Sequence, residues 1–382
     1  MSKNVTDIDW QEIIEYNPAG QVKKEIGSSF YRGDNCNFNP YKKDFENSDF
    51  LDEFLVKGWR PEKPLINKGT KITAFGSCFA THITNYLSQV GYNLSKNRNP
   101  EIYISSMGEG LVNTFAILQQ FEWTLENVIP PENLWHGFKA EEFGYQEDIR
   151  VKTRQAFLDT DFFILTLGLS EIWYDEKTGG VFWRAIPQKY YDPSRHKFRV
   201  STFEETKRNI TRIVQLINTH IPKAKVLITL SPVPLAATFR PTSCITANSV
   251  SKSILRAALD EFYREHTDTL NKTLFYFPSY EIIMDLFPDK YADDNRHPHD
   301  EIVAFTMKLF ESIYCESQLT KQEVNLLFQE TRRKNIEDLA AYKEKQAVAP
   351  IPPTSVMAVE NESRSAFSIK GFLKKIIARL TA

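Results

Sequence analysis

Lys71-Ile72-Thr73-Ala74-Phe75-Gly76-Ser77-Cys78-Phe79-Ala80 changes its periodicity at the glycine, and that change decides the fold class. Before Gly76 the run is short and apolar, as a buried strand is. After it, Ile83, Leu87 and Val90 recur at spacings of four and three, which predicts one buried face of a helix over 78–90. Ser77 therefore stands where a strand ends and a helix begins. Unpaired backbone N–H groups and the positive end of the helix dipole meet there. A hydroxyl nucleophile at such a turn faces donors already placed for a developing oxyanion. An ordinary serine N-cap in a strand-turn-helix link has the same pattern, and this segment alone leaves both readings open.

The same alternation continues downstream. Phe162-Phe163-Ile164-Leu165-Thr166-Leu167 and Val226-Leu227-Ile228-Thr229-Leu230 read as strands buried on both faces, and Leu274 to Phe277 as a last short strand. Helices are predicted over 106–121, 202–220 and 248–266, the middle one with Ile210, Ile213, Val214 and Ile217 on one side. Repeated βα units imply an α/β fold with a mainly parallel sheet covered by helices on both faces. Ligands of such sheets bind beyond the strand C-terminal ends.

Tyr291-Ala292-Asp293-Asp294-Asn295-Arg296-His297-Pro298-His299 follows the last strand. Asp294 and His297 are three apart, so the carboxylate can reach Nδ1–H of the imidazole and leave the other ring nitrogen to accept a proton. Pro298 restricts His297 to extended backbone angles. A polar loop whose aspartates cap a helix from Glu301 is the alternative. A metal site would need further ligands, and no paired-histidine helix or Cys-x-x-Cys supplies them.

Gly76-Ser77-Cys78-Phe79-Ala80 spells the signature of the GSCFA family, which resembles a divergent branch of the SGNH/GDSL hydrolases. Further blocks resemble the family's in order: Thr166-Leu167-Gly168-Leu169-Ser170-Glu171-Ile172-Trp173, Ser231-Pro232-Val233-Pro234 with Ala247-Asn248-Ser249-Val250-Ser251-Lys252, Phe277-Pro278-Ser279-Tyr280-Glu281, and Asp294-Asn295-Arg296-His297-Pro298. The resemblance covers roughly residues 70 to 310. It implies an SGNH-hydrolase-like three-layer α/β/α fold with Ser77 as nucleophile, His297 as general base and Asp294 as its orienter. The glycine block falls at Ser106-Met107-Gly108-Glu109-Gly110-Leu111-Val112-Asn113, with Gly108 or Gly110 as backbone donor and Asn113 as side-chain donor to an oxyanion. Where members ordinarily carry asparagine and aspartate after the glycine at 168, this chain has Ser170 and Glu171. Gly168, Ser170, Glu171, Asn248 and Cys78 are the remaining candidates for oxyanion or substrate contact. The thiol of Cys78 reads first as a small buried residue at a helix start. The implied activity is serine-dependent acyl transfer, as an esterase or an O-acyltransferase on an acylated, polysaccharide-related substrate. No cofactor is expected beyond an acyl-CoA co-substrate for a transferase. The rival reading is a non-catalytic carbohydrate- or acyl-binding module on the same fold.

Composition fits an enzyme of moderate size. The 382 residues carry 42% hydrophobic side chains, enough for a sizeable core. A formal charge of −2 offers no basic excess for nucleic acid, so none is expected as partner. Cys36, Cys78, Cys244 and Cys315 show no disulfide or zinc spacing. With no apolar leader and no run long enough to span a bilayer, the expected location is cytoplasmic.

Residues 1–68 read as an arm anchored by Tyr31, Phe38, Tyr41, Phe45 and Phe50 over a catalytic domain at 69–317. A charged helical extension (318–346), a Pro-rich linker (347–366) and a basic amphipathic helix (367–382) follow. In that last segment Phe372, Leu373, Ile376, Ile377 and Leu380 oppose Lys370, Lys374, Lys375 and Arg379. The pattern fits a helix lying peripherally on the inner membrane surface, docked on a protein partner, or packed on its own domain. Aromatics at 122–150 and 174–200, Trp123, Trp135 and Trp183 among them, make either a stacking wall for sugar rings or core. Arg240 and Lys252 are candidates to grip an anionic group.

Overall fold

Phe162 to Leu167 is buried at every position, and such a run needs cover on both faces of its sheet. The computed structural model describes residues 9–17, 20–28, 37–99, 102, 110–136, 140 and 144–348, and supplies that cover as three layers, α/β/α. In chain order, β1 (Asp9–Asn17) and β2 (Gly20–Ser28) pair as an antiparallel ladder. There follow β3 (Lys71–Gly76), α1 (Cys78–Gln89), β4 (Asn93–Leu94), α2 (Thr114–Glu126), α3 (Glu147–Leu158) and β5 (Phe162–Leu167). Strands β6 (Glu171–Asp175) and β7 (His196–Val200) form a second antiparallel ladder before α4 (Phe203–His220) and β8 (Lys225–Leu230). Then come α5 (Cys244–Glu265), β9 (Leu274–Tyr276), α6 (Ser279–Leu286), α7 (Asp300–Tyr314) and α8 (Lys321–Val348).

The central sheet has the order β4-β3-β5-β8-β9 and every pair in it is parallel. Its register sets Gly76 beside Thr166 and Leu167 beside Leu230, so three strand C-termini end in line. Alternation splits the apolar run between two cores. Phe163 and Leu165 join Phe121, Ile213 and Leu255 from α2, α4 and α5, whereas Phe162 and Ile164 join Ile83, Ile282 and Phe305 from α1, α6 and α7.

The β3–α1 turn is possible only with glycine at 76. Its φ is +138°, and a Cβ there would lie 2.2 Å from the Thr166 carbonyl oxygen. Thr202 and Glu205 form a reciprocal capping box that starts α4, reinforced by Arg199 on both Glu205 oxygens at 2.6 and 2.7 Å.

Several expectations change. The helix predicted over 106–121 begins at Thr114, because Asn113 caps it by accepting the Ala116 N–H at 2.9 Å. Of the two readings left open for Trp123, Trp135 and Trp183, core is the one observed: all three are fully buried, with Trp135 packed on both of the others. Where the arm was read without periodicity, residues 9–17 and 20–28 form the β1–β2 ladder. Phe50 is buried and stacks on Phe328 of α8 at 5.2 Å, with Phe45 packed beside it, while Phe38 and Tyr41 are exposed. Tyr31, Gly108 and the segment 367–382 lie outside the described residues. The chain divides into a unit from Met1 to Leu339 and a second from Ala340 to Ala382, described only as far as the end of α8. Among the described residues no helix is long and apolar enough to cross a membrane.

Candidate active site

The loop after α6 is shaped by its own backbone. Tyr291 bridges to Pro298, Ala292 N–H donates to the His297 carbonyl at 2.9 Å, and Asn295 takes a left-handed φ of +53°. Asp294 Oδ1 accepts the N–H groups of Arg296 and His297 at 3.0 and 2.9 Å, which leaves Oδ2 for His297 Nδ1 at 2.5 Å. Burial acts to raise the Asp294 carboxyl, but the His297 N–H, the His297 ring and the Arg296 N–H outweigh it and hold it down to about 2. The carboxylate is thus ionised, and Nδ1 is the donor of the pair. Among the described residues no hydrogen bond is made to Nε2, and the ring is half exposed. No aspartate caps α7, whose N-cap His299 makes no side-chain capping bond. Tyr291 Oη donates to the Pro232 carbonyl at 2.8 Å, and the Arg296 guanidinium donates to the Pro234 carbonyl at 3.4 Å. These contacts fasten the loop to the segment that leaves β8, at the sheet's C-terminal edge.

At the β3–α1 turn, Ser77 takes the N-cap place that the sequence left open, and Cys78 is less buried than expected. Ser77 is 3% exposed. Its N–H donates to the Thr166 carbonyl at 3.0 Å and to Thr166 Oγ1 at 2.7 Å. Its Oγ exchanges a hydrogen bond with Thr166 Oγ1 at 2.9 Å and accepts the Phe79 N–H at 3.3 Å. Ser77 is the N-cap of α1, and the structure does not bring it into a hydrogen bond with His297. Cys78, expected to be buried, is the first residue of α1 and partly exposed. His82 stands one turn on in α1. Burial, then His297, pull His82 below the ordinary histidine value, with Asp300 opposing.

A family model described as the GSCFA family matches residues 71–310. The chain belongs to the GSCFA family. No curated protein matches it in sequence. Among solved structures it is similar to a GDSL-like lipase from Bacteroides thetaiotaomicron at 12% identity, over 70% of this chain and 96% of that one, with a TM-score of 0.32. A carbohydrate esterase family 2 enzyme with a carbohydrate-binding domain, from Corynascus thermopiles (Myceliophthora fergusii), is 12% identical over 65% of this chain and 66% of that one, TM-score 0.33. The acetyl xylan esterase Est2A from Butyrivibrio proteoclasticus is 11% identical over 75% and 65%, TM-score 0.29. At such identities and scores these likenesses say nothing of activity.

In this GSCFA chain most of the expected oxyanion donors are engaged elsewhere. Gly168 N–H donates to the Val112 carbonyl at 2.9 Å, and a Cβ on Gly168 would lie 2.7 Å from that oxygen. Asn113 gives its side-chain N–H groups to the carbonyls of Phe182 and Trp183 at 3.3 and 3.0 Å, tying that loop to the start of α2. Gly110 turns at φ +104°. Ser170 N–H donates to Ser251 Oγ at 2.8 Å, and its own buried hydroxyl has no hydrogen-bond partner among the described residues. Glu171 accepts from Thr238 Oγ1 at 2.9 Å; burial raises its carboxyl, with Thr238 and Arg240 opposing. Asn248 Oδ1 accepts the Leu235 N–H at 3.1 Å, fixing the segment after β8.

Lys252 is not a surface grip. It is 2% exposed and donates from Nζ to the carbonyls of Gly168 and Ser231 at 2.7 and 2.8 Å. Burial pulls it down to about 7, the electrostatic attraction of Cys78 opposing and Arg296 assisting. Sequence reasoning missed His82, Thr166 and this role of Lys252. Only the i, i+4 spacing of Cys78 and His82 was a readable signal. Among the described residues no group of three or more His, Cys, Asp or Glu is arranged to hold a metal ion.

Proposed function

We propose that this GSCFA protein is an acyl-transfer enzyme, an ester hydrolase or an O-acyltransferase. The Asp294–His297 pair carries the reading: an ionised carboxylate fixes the imidazole through Nδ1 and leaves Nε2 at the strand C-terminal edge. There the ring takes a proton from a nucleophile on the β3–α1 turn and later returns one to a leaving alcohol. The N-terminus of α1 supplies backbone N–H groups and dipole for the developing oxyanion. The nucleophile of our sequence reading, Ser77, would have to leave its cap to act.

An acylated glycan is the substrate class we favour, on the family resemblance and on one surface feature. Trp173 meets Phe239 and Phe198 edge-on at 4.8 and 5.6 Å, and Phe239 is exposed beside the Glu171–Thr238 contact. Such a ring surface suits a sugar. With an acyl-CoA donor and a sugar hydroxyl as acceptor the same groups perform transfer; with water they perform hydrolysis. The engaged Gly168 and Asn113 donors favour the rival reading, a binding module without catalysis.

Turnover of short-chain p-nitrophenyl esters and of acetyl-CoA decides between them. We expect His297→Ala to lower it by about 100-fold or more and Asp294→Asn by a similar factor. Undiminished turnover in folded His297→Ala, or none in wild type with either donor, would sink the catalytic reading.

A further inference from the structure

The strand order reverses at β3, which has β4 on one side and β5 on the other, and the crevice of a parallel sheet opens at such a point. The β3–α1 turn lies there, whereas the histidine loop follows β9 and is fastened to the segment beyond β8. We propose that Lys252 is the positioning residue of this site, a buried tie that sets the spacing between that turn and the histidine loop; this rests on the acyl-transfer reading above.

Hydrogen bonds and close contacts trace the tie. The last rung between β5 and β8 is the Ser231 N–H on the Leu167 carbonyl at 2.8 Å. Past it the two chains part, for Gly168 and Leu169 turn their N–H groups to the Val112 carbonyl, and Pro232 has no N–H to give. Lys252 Nζ closes the gap, donating to the Gly168 carbonyl at 2.7 Å and to the Ser231 carbonyl at 2.8 Å. On one side Gly168 packs on the turn itself: a Cβ there would lie 3.3 Å from Ser77 Cβ. On the other, Ser231 leads into Pro232 and Pro234, whose carbonyls accept Tyr291 Oη at 2.8 Å and the Arg296 guanidinium at 3.4 Å. Arg296 directly precedes His297, so a continuous path runs from the turn through Lys252 to the loop that carries the imidazole.

Helix α5 makes the tie with one polar face. Asn248, Ser251 and Lys252 follow the i, i+3, i+4 spacing of a single side. Asn248 accepts the Leu235 N–H at 3.1 Å and Ser251 accepts the Ser170 N–H at 2.8 Å, so the same face holds both parting segments. A methionine of similar length would fill the Lys252 site without desolvating an amine, and apolar replacements of buried ions are often neutral or stabilising. Stability therefore explains this side chain poorly, all the more as burial pulls it down to about 7. What it supplies is two N–H donors at one point, and the neutral amine retains both. Alignment of reacting groups is steep in distance: a displacement of about 1 Å can cost about 100-fold in rate.

Steady-state turnover of p-nitrophenyl acetate and of acetyl-CoA is measured in full-length wild type and Lys252→Met, with kcat referred to the folded fraction from each protein's urea curve. We expect kcat to fall by about 10- to 100-fold with KM within about twofold, because the reacting groups are misaligned while the surface that binds substrate is intact. A purely structural lysine would move the unfolding midpoint and leave kcat per folded molecule unchanged. That result, or a loss carried by KM, overturns this inference and leaves acyl transfer standing. Tyr291→Phe keeps the test decisive if the buried variant fails to fold. It removes the outer link to Pro232 from a partly buried ring, and kcat should fall by about 3-fold or more with KM steady. Wild-type kcat in that variant overturns the inference too. A wild type that turns over neither donor overturns both readings.

Discussion

Lys252 shows how a side chain's surroundings, not its type, set what it does. Its Nζ satisfies two carbonyls at strand ends, yet burial holds it down to about 7 from an ordinary value of 10.5. Between those pH values the unfolded chain binds a proton that the folded one does not, so this group makes stability rise with pH across the window; below about 7 its penalty is constant. Lys252→Met should remove that slope. Denaturant midpoints of the two proteins at several pH values above neutrality test this, and parallel curves would refute it. Thr166 is a second such residue. Thr166→Val keeps the shape but leaves Ser77 Oγ without its hydroxyl partner and its N–H with a single acceptor, a loss of about 1–3 kcal/mol readable as a lower denaturant midpoint.

At the scale of elements, the site is made where a strand hands over to a helix. Gly76 is the last β3 residue, pressed against Thr166 of β5; Ser77 extends that pairing and caps α1; Cys78 is the first residue free of the ladder's alternation. Helix α1 therefore depends on its cap. Ser77→Ala should cost about 1–2 kcal/mol in urea or thermal unfolding, a typical cap loss, without changing the secondary-structure content seen by circular dichroism. A variant as stable as wild type would mean that the Phe79 N–H finds another acceptor.

Across the whole of the first unit, two cores hold the sheet between them, and the second reaches beyond the βα repeats. Leu65 and Ile66 donate backbone N–H groups to the Tyr314 carbonyl at 2.8 and 2.9 Å, Tyr314 Oη reaches the Tyr276 carbonyl at 2.7 Å, and Phe50 stacks between Phe45 and Phe328. The segment before β3 and helix α8 thus belong to the same core as the strands. Phe328→Ala empties a fully buried site and should lower stability by about 3–5 kcal/mol, measured by guanidinium unfolding. A loss below about 1 kcal/mol would mean that α8 packs only loosely there.

The sequence by itself determined the layers, the parallel sheet and the Asp294–His297 pair. Each of these follows from local pattern: continuous apolar runs, helical spacing, and two residues three apart in one loop. The family membership was legible for the same reason, as short blocks in a fixed order. What tertiary structure alone decided is which way each side chain faces and which donors are already spent. The Thr166 hydroxyl turns Ser77 inward, the Val112 carbonyl takes the Gly168 N–H, and two loop carbonyls occupy Asn113. All of these partners lie far off in the chain, and hydrogen bonds between distant segments leave no periodicity for a sequence to display.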